Sequence, residues 1–76
     1  MLTAAQARAA RALLDWSQTQ FAAASHLGLS TIRDFEKGRR MPGHNNLAGM
    51  VRALEQAGVI LLADEGNGRG EGVRRR

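Results

Sequence analysis

The side chains best placed to do chemistry are Ser30, Arg33, Asp34 and Lys37, spaced three and four residues apart in LSTIRDFEK, with Arg39 and Arg40 just beyond. On a helix from about Leu29 to Lys37 they form a polar outer face, and Ile32 and Phe35 point the other way. Such a set of donors and acceptors recognises a partner; it does not break bonds. A short helix held out from a small basic domain suits the major groove of DNA, which is wide enough to admit one. Arg39 and Arg40, placed just past that helix, suit phosphate contacts; the competing reading is a solvated loop. Gln18 falls in the first turn of a preceding helix, where amides and side chains grip a phosphate. Catalysis has no matching constellation. No nucleophile and base stand in register, carboxylates are few, and His26 and His44 have no acidic cluster near them. We therefore expect no enzyme, no metal and no cofactor.

The elements that position these groups centre on Gln18 to Gly38, two short helices joined by a tight turn. Phe21, Ala22, Ser25, Leu27, Ile32 and Phe35 have the spacing of a shared buried face. Ahead of them, Thr3 and Gln6 fit a capping box that opens a first helix from Ala4 to Leu14, and Ser17 and Gln20 repeat the box. Ala7, Ala10, Leu13 and Leu14 share one side of the first helix. Arg8 and Arg11 stand at adjacent positions of the helix, and for each the solvated helix arginine is one of two open readings. Trp16, the one tryptophan, reads as a core plug between helices. His26 sits where the chain leaves its helix, a position that often needs positive φ. Gly28 is an acceptable N-cap, and Gly38 a left-handed residue after the next helix. After Pro42 and Gly43, a helix capped by His44 or Asn45 carries Leu47, Met50, Val51, Leu54 and Ala57 on one face and closes at Gly58. Val59 to Ala63 reads as a strand. Glu65 to Gly72, with glycine at every second position, reads as a loop. Val73 to Arg76 either returns as a second strand or frays.

The totals set bounds. The chain has 76 residues, a net charge of +4 and no cysteine. That length predicts one small domain without an extensive enzyme pocket. Stability has to come from packed helices or self-association, since disulfides and thiolate metal sites are absent. A basic balance favours a polyanionic partner, although basic membrane-surface proteins also exist. No apolar run approaches a bilayer span, and the start lacks the order of a signal peptide. The expected location is the cytoplasm, in association with the nucleoid.

Gln18, Phe21, Ala22, Ile32, Phe35, Glu36 and Gly38 together resemble the helix-turn-helix of the Cro/C1 (XRE-type) DNA-binding proteins, with similar spacing from Thr3 to Gly58. The ending resembles short bacterial regulators with a C-terminal β-extension. The resemblance implies a mainly α, four- to five-helix, lambda-repressor-like domain over residues 1–58. A β-strand or hairpin with a Gly-rich loop and basic tail follows over 59–76. Carried over by position, Leu29, Ser30, Arg33 and Asp34 would face base edges. Gln18, Thr31, Lys37, Arg39 and Arg40 would approach phosphates. The family commonly pairs an arginine of the first helix with a glutamate after the recognition helix's last core residue, here Arg11 and Glu36. Two departures stand out. His26 replaces the usual glycine of the turn, and Leu29 replaces a polar residue, which leaves contact with a thymine methyl in place of a hydrogen bond.

The expected function is a sequence-specific regulator of transcription, a repressor in keeping with the family, that binds double-stranded DNA as a homodimer. No small-molecule ligand is expected. The alternative is an antitoxin or other interaction module of the same fold that binds a partner protein through its strand edge. Val59, Ile60, Leu61 and Leu62 are the expected dimerisation residues, because a strand apolar on both faces needs a second cover.

Overall fold

The structure, a computed structural model, describes residues 2–63 and 71–76. Most of the expected glycine loop lies outside the described residues. Four helices, α1 (Ala4–Leu14), α2 (Gln18–Ser25), α3 (Leu29–Glu36) and α4 (His44–Gln56), precede two strands, β1 (Val59–Leu62) and β2 (Gly72–Arg75). The strands pair antiparallel, with Val59 opposite Arg75 and Leu62 opposite Gly72. Gly72 therefore belongs to β2 and not to the loop.

The helix ends follow from local chemistry. Thr3 and Ser17 each accept from the amide three residues on, and the side chains of Gln6 and Gln20 return the bond. Each box is flanked by an apolar pair across the first turn. Leu2 and Ala7 are both buried at α1, and the rings of Trp16 and Phe21 lie 6.2 Å apart at α2. Trp16 itself is half-buried against the core, so it covers the core and does not fill it. All four helices are followed by a residue of positive φ: Asp15 (φ 56°), His26 (φ 58°), Gly38 (φ 75°) and Gly58 (φ 100°). At the second of these, the amides of His26 and Leu27 bond the carbonyls of Ala23 and Ala22, which satisfies two orphan acceptors of α2. α4 departs from expectation. Its cap is Gly43, with no side-chain hydrogen bond, and His44 is already helical. The buried Pro42 and the extended Gly43 set the direction of the chain one residue earlier than a side-chain cap at His44 or Asn45 would.

The core gathers Leu2, just ahead of α1, with Ala7, Ala10, Phe21, Ile32, Phe35, Met50, Leu54 and Val59, so every element except β2 contributes. Of the expected α1 face, Ala7 and Ala10 are buried, while Leu13 and Leu14 are half-buried. α2 and α4 approach closely at Gly49, where an added Cβ would stand 3.4 Å from the Ser25 carbonyl oxygen. The hairpin lies over α1 and α4. Gln6, only 3% exposed, fastens it there: its Nε2 donates to the carbonyls of both Leu62 and Gly72, each at 3.0 Å.

Candidate nucleic-acid interface

α3 is held by its inner side and bare on its outer one. Ile32, Phe35 and Glu36 are buried, Leu29, Thr31 and Asp34 half-buried, and Ser30, Arg33 and Lys37 exposed. Beyond its end, Arg39 and Arg40 are exposed as well. This surface carries four exposed cations, with the half-buried Asp34 among them.

The second acid of the region is turned inward. Arg11 Nε donates to Glu36 Oε2 at 2.7 Å, and Arg11 Nη2 donates to Oε1 at 2.8 Å. This two-pronged geometry is the strong form of a guanidinium–carboxylate pair. Gln18 Nε2 donates to the same Oε1 at 3.0 Å, and Arg11 Nη1 donates to the Trp16 carbonyl at 3.0 Å. The Glu36 side chain is 2% exposed and that of Arg11 21%. The hydrogen bonds to Glu36 raise the Arg11 pKa above its ordinary value; partial burial opposes the shift, and the attraction of the two charges adds to it. Arg8 Nη1 donates to the backbone carbonyl of Glu36. That bond satisfies an orphan acceptor at the end of α3 and sets a cation against the negative end of the helix dipole.

The residues expected to act together divide into two groups. Leu29, Ser30, Thr31, Arg33, Asp34 and Lys37 share α3 and its cap, and Arg39 and Arg40 continue from it. Gln18, on α2, joins α3 through its bond to Glu36. Sequence reasoning left the solvated reading of Arg8 open and assigned it no role. The signal lay in its spacing, since Arg8 and Arg11 are three apart and both reach Glu36. At the far end, Val59 is fully buried. Its side chain lies in the protomer's own core, which leaves its backbone alone to the expected dimer contact. Ile60 and Leu61 are half-buried, and Leu62 is 39% exposed.

A bare, cationic second helix fixed across a tight turn from the first defines a helix-turn-helix protein. The chain belongs to that family in its Cro/C1-type form: the family model HTH_3, described as helix-turn-helix, matches residues 8–56. The family is one of DNA-binding regulators. No curated relative matches the chain. Among the described residues, no helix is long and apolar enough to cross a membrane.

Proposed function

We propose that the protein is a sequence-specific regulator of transcription that inserts α3 in the major groove of double-stranded DNA and acts as a dimer. The observation that carries this reading is the division of α3 into a buried, ion-paired inner side and an exposed cationic outer side. An α-helix with its side chains is roughly 10–12 Å across, and the major groove is roughly 12 Å wide. Leu29, Ser30, Arg33 and Asp34 read base edges, with Arg33 suited to a two-pronged bond to guanine. Gln18, Thr31, Lys37, Arg39 and Arg40 fix the helix against phosphates. One short helix covers few base pairs, so two half-sites supply the specificity. The protomer measures 35 × 25 × 19 Å, a size at which two copies side by side reach half-sites one helical turn, about 34 Å, apart.

Selection of bound sequences from random DNA with the purified chain tests the reading, followed by titration of the best site against salt. With roughly five phosphates contacted per subunit, the log–log slope is expected at about −4 to −5 per subunit. No enriched sequence, or affinity that stays flat as salt rises, would refute it.

A further inference from the structure

We infer that the open edge of β1 is a self-pairing surface. A second copy of this chain adds its own β1 antiparallel, centred on Leu61, to build a sheet in the order β2, β1, then β1 and β2 of the second copy. This inference rests on the dimer proposed above and gives it a seam and a register.

The hydrogen-bond parity of the hairpin exposes this edge. The Arg76 amide donates to the Gly58 carbonyl at 2.8 Å, and these two residues continue the register of Val59 with Arg75. In an antiparallel pair, bonded and non-bonded positions alternate. Gly58, Ile60 and Leu62 therefore turn their amides and carbonyls toward β2, and Val59, Leu61 and Ala63 turn theirs away. Among the described residues, β2 is the one strand bonded to β1.

Charge decides between the two edges of the hairpin. β2 ends in Arg74 and Arg75, with Arg76 just after it, all exposed, and pairing that strand with its own copy would set like charges together. β1 has no charge, no proline and no lysine, so it lacks the features by which sheet edges discourage pairing. Centred on Leu61, the pairing sets Val59 opposite Ala63 and the exposed Leu62 opposite Ile60 of the second copy. The apolar surface continues below the seam. A groove of about 150 Å³ lined by Leu2, Gln6, Val51, Leu61 and Ala63 shares Leu2 and Val51 with a larger one of about 370 Å³ along α4. The rim of the larger groove carries Arg52 and Glu55, both exposed. A rim of both signs suits a second copy, which carries the same two charges, better than a partner of one sign.

The test is sedimentation equilibrium on the full chain and two variants. Ala63→Pro removes an outward amide at an exposed residue and leaves the β1–β2 bonds intact. Leu62→Lys puts a charge at the seam where the side chain is already exposed. We expect the unsubstituted chain to dimerise, and each variant to raise the dimer dissociation constant at least tenfold with an unchanged helical circular dichroism spectrum. A chain that stays monomeric at its highest soluble concentration overturns the inference, as do two folded variants that remain dimeric. Binding to a single DNA half-site separates this result from the DNA reading. Half-site affinity should be unchanged in both variants. If the unsubstituted chain binds no half-site, the DNA reading fails, and loss of the dimer in the variants still supports the seam.

Discussion

Replacing Glu36 by alanine removes the carboxylate on which Arg11 Nε, Arg11 Nη2 and Gln18 Nε2 converge. On charge alone the substitution should help, since it deletes an acid from a helix proposed to lie against a polyanion. The structure argues for a different outcome. Breaking a fully buried pair by removing one partner costs about 3–5 kcal/mol, because the other charge is left stranded. The Arg11 side chain is 21% exposed, so water recovers part of that cost, and we expect a loss nearer about 2–3 kcal/mol. For a domain of this size, 1 kcal/mol moves the melting temperature by about 4–8 °C, so Tm should fall by roughly 10–20 °C. The raised pKa of Arg11 means that its share of the stability is fully present below the ordinary arginine range. It is lost only as pH rises through a still higher value, so a melt near neutral pH measures the intact pair. Thermal melts of the chain and of Glu36→Ala by circular dichroism give the comparison. Arg11→Met with Glu36→Leu in one chain is the control: replacing both partners by apolar groups should cost much less than stranding Arg11. A Tm for Glu36→Ala within experimental error of the unsubstituted chain, with tighter DNA binding, would show that the pair is a surface ornament and would refute the reasoning.

Arg33→Ala should relax sequence preference at one base pair, at a cost of about 1–3 kcal/mol on the best site. Arg39→Ala should weaken all sites alike; equal loss on specific and random DNA in Arg33→Ala would count against its placement at a base edge. His26→Gly should stabilise the fold by about 0.5–1 kcal/mol in urea denaturation, because a side chain at φ 58° bears a left-handed penalty that glycine avoids. An unchanged or lower midpoint would contradict that. Gln6→Ala should speed amide exchange in β1 and β2 while leaving α3 protected, since it removes both bonds to the hairpin carbonyls; uniform exchange throughout would show that the hairpin does not depend on this grip.

The parts of this fold that were legible in the sequence are those that nearby residues decide. Thr3 with Gln6 and Ser17 with Gln20 announce their helix starts within four residues. His26 and Gly38 mark helix ends by the backbone conformations they tolerate. What stayed hidden depends on residues far apart in the chain. Leu2 looks like a terminal residue until α4 supplies the other wall of its site. Gln6 is recognisable as a cap, but its second task requires the return of β2 more than sixty residues later. Arg8 and Arg11 carry the same side chain on the same helix, and family resemblance identified Arg11 alone. Arg8 bonds a backbone carbonyl, and a carbonyl has no sequence signature. The cover over the Val59 side chain was hidden for a related reason. Periodicity marks it as apolar, yet does not say whether α1 and α4 or a second chain covers it.

The bonds made by α1 divide between two targets. Gln6 holds the hairpin, and Arg8 and Arg11 hold the end of α3. On the proposed dimer, the word read in each half-site and the distance between half-sites are then set by separate side chains on a common strut. The two are separable variables. Substitutions on the outer face of α3 would rewrite the word at fixed spacing. A lengthened or re-registered β1 seam would change the spacing and keep the word. Exchanging hairpins between two such proteins should move the preferred gap between half-sites and leave each half-site sequence as it was.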